Sequence, residues 1–233
     1  MKKIIFILMG LILLSCSENQ PAKQDKNDKV STVELAPLPI KLPTPRIPPT
    51  PKNIPPDAHV KAVKQWTPRE PFLAPKGCTN VALGKQCSSS DNEPVLGQIS
   101  QVTDGNKEGS EDSYVELGYG VQWVQLDLEV AHEIQAIVIW HEHRLPTVYY
   151  DVIIQVSDDK DFIENVQTLF NNDHDNSAGM GLGNDWGYFE NHEGRLFSAK
   201  GVRSRYLRFY SNGSTSDDLN RYTEVEVYAI PKE

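Results

Sequence analysis

The chain has 233 residues, with 23 Lys and Arg against 32 Asp and Glu, for a net charge of −9. The acidity is concentrated after residue 75: residues 76–233 carry 12 basic and 26 acidic side chains, a net of −14. Such a surface repels phosphate backbones and anionic lipid headgroups, which excludes nucleic acid as a partner, while abundant carboxylates are compatible with calcium.

In chain order, Lys2 and Lys3 precede an apolar run from Ile4 to Leu14. Eleven residues rising about 1.5 Å each cannot cross a hydrocarbon core that needs about 20. The pattern is that of a signal-peptide h-region. It ends in Leu13-Leu14-Ser15-Cys16, which resembles a bacterial lipoprotein lipobox. The resemblance implies removal of residues 1–15 and acylation of Cys16, with several chains giving stable membrane anchoring. Ser17, rather than Asp, follows the cysteine, which for a Gram-negative cell implies the outer membrane; the expected address is the bacterial cell envelope.

Residues 16–75 read as a disordered, Pro-rich tether. Residues 37–75 hold 12 of the 16 prolines, and proline fixes φ and removes a donor, so neither helix nor sheet propagates. An extended, polyproline-like segment reaching on the order of 100 Å follows. Within it, Asp57 to Trp66 has the composition for one or two helical turns, with Trp66 either docked or exposed.

Setting Cys16 aside leaves Cys78 and Cys87. In an exported chain the expected state is a disulfide closing a small loop, worth roughly 2–3 kcal/mol, the alternative being two unpaired thiols. Two thiolates nine residues apart without a nearby His do not make a zinc site.

The 158 residues from Lys76 suffice for one core. Period-two alternation dominates. Val124, Leu126 and Leu128 share one face of WVQLDL. Tyr150, Val152, Ile154 and Val156 align inward, as do Val225, Val227 and Ala229, with Glu224, Glu226 and Tyr228 opposite. IQAIVIW is apolar on both faces and is expected to be a central strand covered from outside; Trp123 and Trp140 are expected in the core. Many short strands without interleaved helices predict an all-β sandwich or barrel.

The landmarks ALGK, VTDG, WVQLDL, RYLRFY and EVEVY, in this order across residues 78–230, resemble the discoidin or coagulation-factor C-type domain. That group belongs to the galactose-binding-like jelly-roll sandwiches and includes carbohydrate-binding modules of family 32. The resemblance implies one structural calcium. Its ligands would be the Gln101 carbonyl, Asp104, Asn106, a group near Gly109 or Ser110, the Thr223 carbonyl and Glu224. Gly109 stands where Ser or Thr is usual. Without an ion, Asp104 is an Asx turn and Glu224 a surface acid.

The resemblance places ligand recognition on loops at one end of the sandwich, where an aromatic stacks on a sugar ring and His, Arg or Asn bonds its hydroxyls. Two loops supply that chemistry: His141, His143 and Arg144 in HEHR, and His174, Asp175, Asn176, Trp186 and Tyr188 in the long glycine-rich stretch. Arg221 and Tyr222 are weaker candidates. The plainer readings are a strand-end His141, a Glu142–Arg144 surface pair, and Trp186 covering an edge. Asp173 to Ser177 resembles the start of an EF-hand loop but has Ala178 at the sixth position and Asn184 in place of the bidentate Glu. HEH lacks a third metal ligand, and no nucleophile or phosphate-cradling motif occurs, so no enzyme is expected. The expected function is a membrane-anchored, non-catalytic module that recognises a glycan or cell-surface polymer. A protein-interaction or adhesion module using the same loops is the alternative.

Overall fold

The computed structural model describes residues 33–46, 54, 56–61 and 66–232. Cys16, the leader and residues 47–53 lie outside them, so the lipidation expectation falls on residues not described. No helix among the described residues is long and apolar enough to cross a membrane.

Among the described residues ten strands form, all paired antiparallel: β1 (Leu35–Pro37), β2 (Leu73–Pro75), β3 (Thr79–Asn80), β4 (Cys87–Ser89), β5 (Val115–Leu117), β6 (Gln122–His141), β7 (Ile153–Ser157), β8 (Gln167–Asn171), β9 (Arg195–Ser211) and β10 (Asn220–Ala229). Beyond the β1–β2 ribbon, the order is β3-β10-β6-β9-β7-β8, with β4 added to β6 and β5 to β10. β6 is a 20-residue strand whose register against β9 shifts between Asp127 and His132, where Glu129 adopts φ +69°. Such a bulge bends a strand. The first half of β6 therefore pairs with β4 and the end of β9, the second half with β10 and the start of β9. Val124, Leu126 and Leu128 from the first half meet Ile134, Ile137 and Ile139 from the second in one core, with Ile154, Val156, Leu207, Phe209, Val225 and Val227. The sheet is thus folded over on itself into the expected all-β jelly-roll sandwich.

The alternation holds at Val124, Leu126 and Leu128, and at Val152, Ile154 and Val156. It breaks at Asp151, whose φ of +51° turns the chain so that Tyr149 enters the core and Tyr150 stays half-exposed. Trp123 is also half-exposed rather than core: its ring lies 4.4 Å beneath the Arg208 guanidinium.

β6 is apolar on both faces because both are covered. Ala136, Val138 and Trp140 form a second cluster with Tyr228, Leu38, Ala74 and Cys78, flanked by Ile40, Phe72 and Leu196. This alters the picture of the tether. Among the described residues, 33–46 and 66–75 lie on the sandwich as a strap. β1 and β2 both read Leu-Ala-Pro, pair Ala36 with Ala74, and take ladder bonds at Leu38 and Lys76, beside prolines that have no N–H to give. Leu38 is 9% exposed, and Thr44 reaches Glu108 with backbone N–H and hydroxyl. Burial of Leu, Ile and Phe, at about 1.5–3 kcal/mol for each side chain fully removed from water, outweighs the preference of this Pro-rich chain for solvent.

The expected disulfide is absent: Cys78 and Cys87 are both free. Cys78 packs in the outer cluster, whereas Cys87 lies in β4 with its Sγ 3.9 Å from Thr103 Oγ1. Burial pushes the Cys87 thiol up to about 12, which keeps it unreactive.

Candidate ligand-binding site

The structure separates the candidate residues into three environments. The first is interior. His141 and Glu190 are 0% and 1% exposed and 2.7 Å apart through Nδ1 and Oε1; the carboxylate accepts, so Nδ1 carries the proton. The imidazole stacks on Tyr149 at 4.3 Å and tilts against Tyr222 at 4.8 Å. His143 is buried behind Gly109, its Nε2 donating to the Lys107 carbonyl at 2.9 Å. Tyr188 packs in the main core against Phe170 and Phe197, and Tyr222 bonds Ser211 and the Phe209 carbonyl. All four side chains are buried, and of them only Tyr188 reaches the edge of a recess, beside Trp66 and Arg195. A short polar run at a strand end cannot be told from a loop by pattern alone, which is why HEHR read as binding chemistry.

The second environment is an open groove of about 480 Å³ lined by Arg46, Tyr114, Glu142, Arg144, Leu145 and Arg221, among others. Apart from Arg46, its charges are mutually satisfied. Arg144 Nε donates to Glu142 Oε1 at 3.2 Å, and Arg221 bonds both Glu116 and Asp217. The plainer reading of Glu142 and Arg144 as a local pair describes this geometry.

The third is a cavity of about 220 Å³ at the loop end, lined by Tyr150, Asp151, Asn172, His174, Asp175 and Asn212, among others. Its floor is set by the turn at Asp151, whose Oδ2 accepts from the Ser177 hydroxyl at 2.7 Å and the Asn212 amide at 2.8 Å. Asn172 Oδ1 accepts the Val152 N–H at 2.6 Å, which leaves its amide NH₂ free to donate. His174 Nε2 donates to the Asp185 carbonyl at 2.9 Å, fixing the tautomer and leaving Nδ1 as an acceptor. The long loop above is tied by its own hydrogen bonds: Gly181 N–H bonds Asn176 Oδ1, Asn171 Nδ2 bonds the Gly181 carbonyl, and Gly183 N–H bonds the Asp173 carbonyl. At Gly183 a Cβ would stand 2.3 Å from the Asn171 carbonyl oxygen, so only glycine closes this loop. Asn176, at φ +61°, shapes the loop and faces solvent. Trp186 is 50% exposed on the same loop, with Lys61 Nζ 5.4 Å over its ring.

Asp151, Asp173 and Asp175 bring carboxylate oxygens within 4.8 Å of one another. Asp173 is fully buried and both its oxygens accept loop N–H groups, from Ser177 and Ala178. Burial pushes its carboxyl up, whereas the Ser177 hydroxyl and amide hold Asp175 down. These bonds account for the EF-hand-like spacing as loop closure.

Around the calcium ligands that the resemblance implies, Gly105 N–H donates to Glu224 Oε2 at 3.0 Å and joins the early loop to β10. Glu224 is fully buried and its Oε1 has no partner among the described residues. Burial pushes its carboxyl up to about 9, with Glu226 and Asp104 adding to the rise and the Gly105 amide and Lys107 opposing it. A buried carboxylate with a spare oxygen beside a second carboxylate fits a cation. Asp104 Oδ1 accepts Asn106 N–H at 2.7 Å, and the Gln101 side chain is spent on Gln98 and Asp112. Ser110 directs its carbonyl at Ser113, and Thr223 is buried within β10. Lys107, inside this loop, pairs with Glu226 at 2.6 Å.

Asp151, Asn172 and Asn212 carry no local signal of a site, and Tyr150 was expected in the core. Each sits beside a strand end that the β7 turn and the β9–β10 connection bring together, and no local spacing signals that.

No protein-family model matches this chain, and no curated protein does either. Several solved structures align. One is a family 89 glycoside hydrolase from Clostridium perfringens in complex with GlcNAc-α-1,4-galactose, at 18% identity and TM-score 0.48 over 66% of this chain and 16% of its own length. Another is chitosan-binding module 1 of a chitosanase/glucanase from Paenibacillus sp. IK-5, at 20% identity and TM-score 0.46 over 64% of this chain and 98% of the module. A third is the CBM32 of AlyQ in complex with 4,5-unsaturated mannuronic acid, at 17% identity and TM-score 0.45 over 61% and 92%. Likenesses of this grade assign no ligand to this chain.

Proposed function

We propose that this chain is a non-catalytic carbohydrate-binding protein, anchored to the bacterial envelope through acylated Cys16 and presenting the loop-end cavity to glycans. The observation that carries the reading is the cavity itself: a recess whose Asn172 amide, His174 Nδ1 and Asp151 carboxylate offer donors and acceptors held by hydrogen bonds, with exposed Trp186 on the same loop as His174. Hydroxyl groups need such a mixture, and a flat aromatic face suits the apolar face of a sugar ring. The cavity is smaller than the roughly 300–1,000 Å³ typical of drug-sized sites, so it takes one small unit rather than a length of chain. Modest single-site affinity is raised by many anchored copies. The reading includes a structural calcium held by Glu224 and Asp104, supported by the spare buried oxygen of Glu224. An envelope protein as partner is the second reading, favoured by Met180 and Leu182, which stand 40% and 70% exposed on the same loop. A glycan-array screen of the full chain, with and without chelator, tests the first reading. Selective glycan retention is expected, with loss on Trp186→Ala. Retention of no glycan by folded protein overturns it.

A further inference from the structure

Resting on the carbohydrate-binding reading, we propose that the N-terminal segment 56–61 is a wall of the loop-end cavity, with His59 as a ligand-contacting residue. The completed pocket then takes an uncharged or amino-bearing sugar and rejects an acidic one.

Residues in this segment were expected to be tether, yet Ala58 and His59 line the cavity. Three contacts seat them. The His59 ring stacks on His174 with centroids 4.2 Å apart and planes 22° from parallel. Val60 bridges Gly187 as a parallel strand would, and the Gly187 N–H donates to the His59 carbonyl at 3.3 Å. Lys61 lies over the Trp186 ring. Gly187 permits this approach: a Cβ there would stand 2.6 Å from the Ala58 carbonyl oxygen. His59 is itself held at φ +44°, a conformation L-residues seldom adopt without being fixed by their surroundings. The segment therefore touches the two loop residues, His174 and Trp186, that the sandwich offers for recognition, and adds an imidazole at the rim of the recess.

The charge of the recess sets its preference. Asp151 and Asp175 line it with Asp173 buried behind them, and the cation of the wall segment, Lys61, stands over the Trp186 ring outside the lining residues. A carboxylate on the ligand would face like charge at short range, whereas an ammonium group would face opposite charge and hydroxyls would find both donors and acceptors.

The test titrates the full chain calorimetrically with glucose-, glucosamine- and glucuronate-based tetrasaccharides of matched length. Binding of the neutral or amino probe, and none of the acidic one, is expected. His59→Ala is expected to weaken that binding at least tenfold with the melting temperature unchanged. Gly187→Ala, which dislodges the segment without altering a lining side chain, is expected to give the same loss. Unchanged affinity in both variants overturns the wall while leaving the carbohydrate reading intact. Tighter binding in both makes the segment a cover and overturns it as well. Preference for the glucuronate probe overturns the selectivity. Binding of no probe, together with an empty glycan array, defeats the parent reading and this one with it.

Discussion

Cutting Glu190 back to alanine separates core chemistry from binding chemistry in the HEHR stretch. Glu190 and His141 are 1% and 0% exposed and share a 2.7 Å hydrogen bond. Removing the carboxylate strands the His141 N–H in the interior, at a cost of about 1–3 kcal/mol. A unit of this size loses about 2–4 °C for each kcal/mol, so the melting temperature of Glu190→Ala falls by about 2–12 °C. The double variant His141→Phe/Glu190→Leu removes both polar groups and keeps a ring against Tyr149, which stacks on His141 at 4.3 Å. It recovers most of the loss, because replacing both partners by apolar groups of similar shape is close to neutral. Urea and thermal unfolding of the singles and the double measure the cycle. The reasoning is refuted if Glu190→Ala costs under about 1 kcal/mol, or if His141→Phe abolishes glycan binding while the melting curve stays in place.

Three further outcomes follow from the same geometry. Leu38→Ala costs about 2–3 kcal/mol by urea unfolding because the strap covers Trp140, whereas a free tether would show no change. Alkylation and mass spectrometry without reductant find Cys78 and Cys87 as separate thiols, and reductant leaves the melting temperature in place; a linked peptide pair contradicts the packing. The carboxyl of Glu224 is raised in the folded state from 4.5 to about 9. The stability it contributes is therefore present at pH below about 4.5 and is lost as pH rises toward 9. In chelator, the native melting temperature falls across that window and the Glu224→Gln curve falls less. Added calcium at pH 8 raises the former only, and parallel curves for the two proteins would remove Glu224 from the account.

The sandwich was legible where neighbouring side chains obey one period. Val124, Leu126 and Leu128 alternate because only one face of that strand half meets the core, and IQAIVIW is apolar throughout because the core takes one face and the strap the other. The strap escaped notice since prolines read as chain-extending. The signal was present all the same: the tripeptide Leu-Ala-Pro occurs at 35–37 and again at 73–75, and the two copies are the paired strands. The half-exposure of Trp123 depends on Arg208, 85 residues away in sequence, and no local pattern contains that pairing.

The candidate site was legible only in its loop. His174, Asp175 and Trp186 lie on a glycine-rich stretch too long to be a plain connection, and they do stand at the cavity or beside it. His141, His143 and Tyr188 share their residue types but are interior, since exposure at a strand end is decided by what folds across it. Asp151, Asn172, Asn212 and His59 come from four separate segments and meet only through tertiary structure.

Amide chemical-shift mapping of the full chain against the tightest-binding glycan of the array tests the location of the site most directly. The account predicts perturbations grouped at Asn172, His174, Asp175, Asn212 and Trp186, with His59 among them, and little change at Arg144 and Arg221. Shifts centred on the Arg144–Arg221 groove, with the loop end silent, would contradict it.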